Sequence, residues 1–407
     1  RTPHVDALAK SGLRGTNAYL SISSCSPSRC SIITGRWPHN TGACELHVEL
    51  PKGQVMFPHE LKKAGYYTVQ AGKWHLGSYA EIAFDTICSV KKGDHGGEGD
   101  WLKCIKKRPK DKPYFAWFAA KDAHRPWQPD KDAKPHTRKD VVVPPYLVDD
   151  GPTRDDLAKY YDEVQRFDRY IGLVVKELKR QGVFENTIVV VMADNGRPFQ
   201  RCKTRLLDSG IKTPLVISWP KGIAKPAVTN SLVSSIDVAP TALAAAGVKV
   251  GKTFQGVSLL PIFADPDATV RDYTFAEHNW HDREDHERMV HWKTFTYVRN
   301  RRPNGIMSGP ADAQKSDALT YTSLLKGYKA GTLTPEQAQI FAKVQPAEQL
   351  FDSTSDPHQF NNLVADPAHA ETLAHLRAVL AQWETETGDS CPKNLTKDTS
   401  ERLSGKS

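Results

Sequence analysis

Residues 153–192, TRDDLAKYYDEVQRFDRYIGLVVKELKRQGVFENTIVVVM, decide the fold of this chain. The part up to Gly182 predicts a long helix that begins at a capping box formed by Thr153 and Asp156. Its apolar side chains recur at helical spacing, at Leu157, Tyr160, Val164, Phe167, Ile171, Val174 and Leu178. The helix leads into Ile188–Met192, an unbroken apolar run rich in β-formers. A buried strand directly after a long helix is typical of a parallel sheet with both faces covered, so we expect a doubly wound α/β sheet.

Shorter apolar runs on both sides of that stretch predict further strands of the same sheet. They are Asn17–Leu20, Tyr66–Ala71, Tyr114–Ala119 and Leu215–Trp219. Helices are predicted over 3–12 and 238–246, whereas 85–112 is rich in Gly, Lys and Asp and predicts a loop.

The pattern changes after about Pro266, so we expect two domains in this chain of 407 residues. Alternating residues over 288–300 and a short apolar run over 349–351 predict antiparallel strands, and 369–387 predicts an amphipathic helix. We therefore divide the chain into an α/β domain over 1–265, a smaller α+β domain with an antiparallel sheet over 266–388, and a polar tail over 389–407.

Composition excludes some classes of protein. The net charge is +8, but the Lys and Arg residues are scattered and accompany no nucleic-acid-binding motif, so no nucleic-acid partner is expected. An anionic sugar or polysaccharide suits this charge. No run of eighteen apolar residues predicts a membrane span. The seven cysteines are odd in number and widely spread, which does not indicate a disulfide framework.

The most informative short motif is CSPSR at 25–29. Pro27 suits the first turn of a helix and Gly35 suits its end. Cys25 is therefore expected at a helix N-terminus, where backbone N–H groups and the helix dipole favour an anion.

Polar residues follow several of the predicted strands. In an open α/β sheet the ligand site lies outside the carboxyl ends of the strands, so these side chains are expected to converge with Cys25 and Arg29 on one pocket. They are Lys73, His75, Asp122, His124, Asp194 and Asn195. A nucleophile, several cations, imidazoles and carboxylates suit the transfer of a group with negative charge on oxygen.

These motifs together resemble the formylglycine-dependent sulfatases. The resemblance rests on blocks in the family's order along nearly the whole chain up to about residue 388. They are CSPSR at 25–29 with TGR at 34–36, GKWHLG at 72–77, AHRP at 123–126, ADNG at 193–196, Lys203 with DSG at 208–210, SSIDVAPT at 234–241 and the segment 348–362. It implies an alkaline-phosphatase-like fold.

The resemblance implies the chemistry of Cys25. A separate maturation enzyme would oxidise it to formylglycine, whose aldehyde hydrates to a geminal diol. One hydroxyl would attack sulfur, and the other would expel sulfate by regenerating the aldehyde. Arg29 would hold the diol or the metal-bound oxygen. The groups implied to bind sulfate oxygens or to protonate the leaving group are Lys73, His75, His124 and Lys203.

The resemblance also implies a metal ion. Asp194, Asn195 and the modified Cys25 would ligate calcium, with magnesium as the alternative. The family's first strand ends in a pair of aspartates that supply two further ligands. We expect that pair, and with it a central strand of the sheet, to precede Arg1.

Within the family the chain most resembles the heparan N-sulfatases, or sulfamidases. SSCSPSR at 23–29, Leu46-His47, DAH at 122–124 and PF at 198–199 carry this likeness. Lys203 departs from it, since arginine is expected there in the animal sulfamidases. The residues expected to bind substrate are His47, Asp122 and, from a loop over 277–288, His278 and Arg288.

Several alternatives stay open at this point. The sulfate could be on oxygen of another glycan or of an aryl group. A related metal-dependent phosphatase or phosphonate hydrolase, or a non-catalytic binder of sulfated glycans, would share parts of the pocket. Such sulfatases are usually exported, which predicts a periplasmic or secreted location, or a lysosomal one in a eukaryote. The chain as given contains no targeting segment.

Overall fold

A computed structural model describes residues 1–91, 93–94, 96–303, 311–315, 317–394 and 396. Most of the tail predicted over 389–407, namely 395 and 397–407, thus lies outside the described residues. The strands are β1 (Leu13–Tyr19), β2 (Tyr67–Gly72), β3 (Thr86–Ser89), β4 (Tyr114–Ala119), β5 (Val189–Met192), β6 (Leu215–Ser218), β7 (Ala227–Ser234), β8 (Thr274–His278), β9 (Glu287–Trp292), β10 (Phe295–Asn300) and β11 (Glu348–Asp352).

The helices lie between and around these strands. They are α1 (Pro3–Ser11), α2 (Cys25–Thr34), α3 (Pro38–Thr41), α4 (Phe57–Lys63), α5 (Trp101–Lys107), α6 (Gly151–Arg180), α7 (Asp208–Ile211), α8 (Val238–Ala245), α9 (Leu260–Ala264), α10 (Leu319–Ala330), α11 (Pro335–Ala338) and α12 (Ala370–Thr387). The predicted start of the long helix is corrected, because Asp150 is the N-cap and its side chain accepts from Thr153 N. Helix α5 and strand β3 lie where a loop was predicted, since half-buried Ile87 and buried Trp101 both pack into apolar clusters.

The expected parallel sheet is formed in two parts. One has the order β3-β2-β4 and is parallel throughout. The other has the order β5-β6-β1-β7 and is mixed, because β6 runs antiparallel to both β5 and β1 while β1 and β7 are parallel. The expectation of purely parallel pairing is therefore wrong for β6. A run of apolar residues predicts that a strand is buried, but it does not predict whether the strand runs parallel or antiparallel to its neighbours.

A cavity of about 1110 Å³ separates the two parts. Strands β4 and β5 both line it, as do α6 and α8. Among the described strands, β4 pairs only with β2 and β5 only with β6, so each sheet ends at this cavity. Val190 of β5 is 38% exposed as a result.

The later part of the chain forms a separate antiparallel sheet of order β11-β10-β9-β8. The alternation predicted over 288–300 is a hairpin of β9 and β10, with Tyr297 opposite Val290. Helix α12 covers this sheet through Leu373, Leu376, Leu380 and Trp383. The helix ends, as predicted, at Gly388, whose φ is 71°.

Two further points concern the architecture as a whole. No helix in the described ranges is long and apolar enough to cross a membrane. A bridge between Ile22 and Glu277 and a hydrogen bond from Glu277 N to Ser21 O join the antiparallel part to the segment just before α2. This junction brings the loop after β8 next to the start of α2.

Candidate active site

Cys25 is the first residue of α2, a helix whose ten residues are all buried. Ser24 precedes it in extended conformation, and the helix ends at Gly35, which has a φ of 60° and donates to the carbonyls of Ser31 and Ile32. A side chain at position 35 would lie 2.8 Å from both Ala239 and Phe254, so only glycine fits there. Cys25 thus lies at a helix N-terminus, where the positive end of the helix dipole favours an anion.

The end of β5 meets the thiol of Cys25. The Sγ atom lies 3.2 Å from Oδ1 of Asn195. Arg29, one turn further along α2, contacts Asp194 Oδ2 at 2.7 Å and donates to the carbonyl of Lys73 at 3.1 Å. The guanidinium therefore joins the ends of β2 and β5 directly beside Cys25.

Two further contacts of the site involve imidazole rings. Nδ1 of His47 lies 2.8 Å from Nε2 of His75, and both residues have left-handed backbone, with φ of 69° and 58°. His124 donates from Nδ1 to the carbonyl of Arg125 at 2.6 Å, and its Nε2 lies 3.5 Å from Nζ of Lys203. Because Nδ1 is bonded to Arg125 O, Nε2 is the nitrogen turned toward Lys203 and Cys25. Left-handed conformation in two non-glycine residues is strain of the kind that collects at functional sites.

Electrostatics at Cys25 favour negative charge. Burial opposes ionisation of the thiol, but the charges of Lys203 and Lys73 and hydrogen bonds from His124 and His75 hold its pKa well below the ordinary value. The same field would stabilise any anionic group at this position, including the oxygens of a tetrahedral anion.

The donor set beside Cys25 suits a hard cation. Oδ2 of Asp194 is buried and, apart from its ion pair with Arg29, makes no hydrogen bond to the described residues. Oδ1 of Asn195 lies close to the same point, next to Sγ. A carboxylate and an amide oxygen are ligands that calcium and magnesium prefer, so the residues present fit such an ion.

Comparisons with known proteins decide the family. The family model named Sulfatase matches residues 1–94 and 100–248, and a model named N-sulphoglucosamine sulphohydrolase, C-terminal, matches 201–301. The chain belongs to the sulfatase family. Its members hydrolyse sulfate esters or sulfamates and generally use a formylglycine and a divalent metal.

Individual relatives support the same conclusion. An ulvan-active sulfatase of Formosa agariphila is 30% identical over 95% of this chain and 71% of its own length. The human N-sulphoglucosamine sulphohydrolase is also 30% identical, over 95% of this chain and 86% of its own. A protein solved in complex with its substrate D-glucosamine-2-N,6-O-disulfate has the same fold, with a TM-score of 0.74, 18% identity and coverage of 96% and 94% of the two chains.

Asp122 of the sulfatase does not face the thiol of Cys25 with a free carboxylate. It is held by Arg166 of α6 in a bidentate ion pair of 2.6 and 2.7 Å. Buried Glu98 and Glu163 lie beside this pair, and burial, followed by the charge of Asp122, raises their pKa values to about 9 and about 8. Asp122 thus anchors the loop that carries His124, and its role in binding substrate stays a prediction.

The two residues predicted from the loop over 277–288 also have protein partners. Arg288 is 2% exposed and forms a bidentate ion pair with Asp389, at 2.5 and 2.9 Å. His278 lies 2.9 Å from Glu287 and 3.2 Å from Asp285. Substrate binding by His278 and Arg288 therefore stays a prediction, and these contacts favour a structural role for both.

His278, Asp285 and Glu287 have ligand atoms within 4.8 Å of one another, as in a metal site. Arg205, however, lies 3.6 Å from Asp285 and 3.8 Å from Glu287. Both carboxylates of the cluster thus already have a positively charged protein partner. Burial lowers the pKa of His278 to about 4, so the ring is neutral near pH 7. These contacts describe a buried polar network, and we assign no metal to it.

Sequence reasoning missed Trp280, which contacts Cys25, and His281, which contacts the residue before it. Trp280 packs against Cys25 and Leu46, and its carbonyl accepts from Leu46 N at 3.1 Å. Nδ1 of His281 lies 2.7 Å from Oγ of Ser24. The signal was present, since an aromatic residue and a histidine directly follow β8, but antiparallel strand ends do not point to one site as parallel ends do.

Proposed function

We propose that this sulfatase removes sulfate from sulfated sugars, with N-sulfoglucosamine of heparan-type glycans as its substrate. The observation that carries the proposal is Cys25 at a helix N-terminus, beside Asn195 and in the field of Lys73 and Lys203. The match of 201–301 to the C-terminal model named for N-sulphoglucosamine sulphohydrolase supports the choice of sugar.

Side chains of this protein would have separate roles in the hydrolysis. Lys73 and Lys203 would bind the sulfate oxygens and stabilise the charge that grows on them in the transition state. Nε2 of His124, whose orientation is fixed by the bond from Nδ1 to Arg125 O, would hold the proton for the leaving group. The His47–His75 pair would line the sugar side of the pocket.

Two groups must be added to this chain for turnover. Conversion of Cys25 to formylglycine by a maturation enzyme supplies a hydrated aldehyde with one hydroxyl for attack on sulfur and one for release of sulfate. Asp194 and Asn195, with the modified residue 25, would hold calcium, which supplies positive charge to the sulfate oxygens. Arg29 would keep Asp194 oriented toward that ion. Export to a periplasmic, secreted or lysosomal compartment is part of the proposal.

One alternative substrate class has a specific observation in its favour. The ulvan-active sulfatase of Formosa agariphila is as similar in sequence to this chain as the human sulfohydrolase is. An O-sulfatase acting on another anionic glycan is therefore the second candidate.

A substrate panel tests the proposal. The matured, calcium-loaded enzyme is given N-sulfoglucosamine, glucosamine 6-sulfate, sulfated ulvan fragments, nitrophenyl sulfate and nitrophenyl phosphate, and released sulfate or phosphate is measured. We expect the highest kcat/KM with N-sulfoglucosamine. A preference for an O-sulfated sugar would make that sugar the substrate instead of N-sulfoglucosamine. A preference for nitrophenyl phosphate would overturn the proposal.

A further inference from the structure

Two cysteines far from the nucleophile lie in contact with each other. Cys88 is in β3 and Cys104 is in the middle of α5, and their Sγ atoms are 3.1 Å apart. In a disulfide the sulfurs are about 2.05 Å apart, so a small approach of the two side chains is enough to form the bond.

We propose that Cys88 and Cys104 form a disulfide that ties β3 to α5. The inference does not depend on the proposed substrate or mechanism, because it rests on the contact between the two thiols. It adds to the sequence analysis, in which the odd number and wide spread of the cysteines indicated no disulfide framework. Contact in the fold, which spacing along the chain does not reveal, is what distinguishes this pair.

The chemistry of the step is a thiol–disulfide exchange with an external disulfide. The two thiols lose two protons and two electrons, one S–S bond forms between Cys88 and Cys104, and one S–S bond breaks in the oxidant, which leaves as two thiols. The oxidant is glutathione disulfide or the disulfide of a dithiol oxidoreductase. Compartments to which proteins are exported supply such oxidants.

Burial distinguishes the two sulfurs. Cys88 is half-buried, whereas Cys104 is 5% exposed, and burial together with the neighbouring Cys88 raises the pKa of Cys104 to about 12. Cys88 is therefore the thiol that an external disulfide reaches first. Cys104 then displaces the oxidant from Cys88, because its sulfur already lies against it.

The bond would brace one wall of the active site. Between the two cysteines, the carbonyl of Gly96 accepts from Lys121 N at 2.7 Å. Glu98, also between them, is buried beside the Asp122–Arg166 ion pair. Lys121 and Asp122 lead directly to His124, so a covalent link between β3 and α5 restrains the segment that backs this histidine.

Peptide mass spectrometry of the full chain tests the proposal. The protein is equilibrated with glutathione and glutathione disulfide at an oxidising ratio, alkylated without reduction and digested with trypsin. Cleavage after Lys73, Lys91, Lys103 and Lys106 places Cys88 in peptide 74–91 and Cys104 in peptide 104–106. We expect a linked pair that is two hydrogens lighter than the sum of the peptides, with at least about 90% of the chain linked.

Other outcomes would overturn the proposal. Alkylation of both cysteines in natively folded protein under these conditions is one, and a stable glutathione adduct on Cys88 without the internal bond is another. A second measurement uses the double variant Cys88→Ala with Cys104→Ala. We expect dithiothreitol to lower the Tm of the oxidised wild type and to leave that of the variant unchanged. Equal shifts in both proteins would contradict a disulfide at this position.

Discussion

The start of α2 carries Cys25, and the loop over 277–288 contacts it through Trp280, yet the two regions differ in how their functional residues can be recognised. Around α2, the groups that meet the thiol follow the ends of strands, as Asn195 does after β5. In the loop, charged residues such as Arg288 pair with other protein groups, and a neutral ring, His281, reaches the nucleophile segment.

The comparison shows that the position of a residue at a strand end and the charge of a residue give different information about function. Parallel strand ends meet at one edge of a sheet, so any polar residue placed there is near the site. In the loop, a charge is buried only if it has a partner, as Arg288 has in Asp389. A cluster of charged residues in such a loop thus indicates an internal network as readily as a binding surface.

The largest effect should come from the positive charge beside the nucleophile. We expect Lys203→Met to lower kcat/KM by about 10²- to 10³-fold, because it removes a cation that stabilises the developing negative charge. In the unmodified protein the same change should raise the pKa of the Cys25 thiol, since Lys203 is the largest of the charges that lower it. Thiolate absorbance measured against pH checks this second result without any turnover.

The matched control is Lys212→Met. Lys212 is 3.7 Å from Asp208, and its side chain is 37% exposed. We expect little change in kcat/KM. An equal loss in both variants would mean that net charge, and not the position of Lys203, is what matters.

The next effect tests the loop side of the comparison. His281→Phe removes the contact with Ser24, and we expect kcat to fall by about 10- to 100-fold with little change in KM, because the nucleophile segment is no longer held in position. His281→Asn should restore part of the rate, since its amide can still meet the Ser24 hydroxyl. Steady-state kinetics on nitrophenyl sulfate measures both.

A buried histidine away from the nucleophile serves as the control for that variant. His291 is 1% exposed and contacts Tyr19 and Thr296. His291→Asn should lower stability and leave kcat unchanged. A loss of kcat in His291→Asn as large as that in His281→Phe would show that the effect is not specific to His281.

A smaller effect on turnover, with a large effect on stability, is expected at Arg288. Arg288→Met leaves Asp389 buried without its partner, which costs about 3–5 kcal/mol in the free energy of unfolding. Urea denaturation measures this loss. KM should stay within about threefold of wild type, because a lost hydrogen bond to substrate would change it by more.

Arg154→Met, which breaks an exposed pair with Asp149, is the control and should barely shift the urea midpoint. A large rise in KM of Arg288→Met, measured where the variant is fully folded, would restore the prediction that Arg288 binds substrate.

The smallest effect concerns Glu98, which lies beside the Asp122–Arg166 ion pair, and its contribution to the pH dependence of stability. Burial raises the pKa of Glu98 to about 9 from an ordinary value near 4.5, so the folded state retains a proton that the unfolded state releases. This contribution to stability is complete below pH 4.5 and is lost as the pH rises toward 9. We expect the Tm of the wild type to fall between pH 6 and 9 more steeply than that of Glu98→Gln. Parallel Tm curves for the two proteins would contradict the shift.

Much of the fold could be predicted because periodicity and burial are local properties. Helix α6 and strand β4 lie within two residues of their predicted ends. The antiparallel direction of β6 and the helix over 101–107 could not be predicted, since both depend on partners distant in sequence. The same holds for the contact between Cys88 and Cys104.

In the candidate site, too, some residues could be predicted from the sequence and others could not. Cys25, Arg29, Asp194 and Asn195 could be placed together from the sequence because a helix start and a strand end meet there. Asp122 follows a strand as well, but its partner Arg166 on α6 takes both of its oxygens. Strand position predicts where a side chain lies, and only the packing decides whether it stays available.

The measurement that tests the central claim most directly is peptide mass spectrometry of the segment that holds Cys25, after co-expression with a formylglycine-generating enzyme. The account predicts a loss of about 18 Da, since CH₂SH is replaced by CHO, and release of sulfate by the same preparation. The control, Cys30→Ala, changes a buried cysteine of the same helix and should keep the modification at Cys25. An unmodified thiol at Cys25 in folded, calcium-loaded protein would contradict the account.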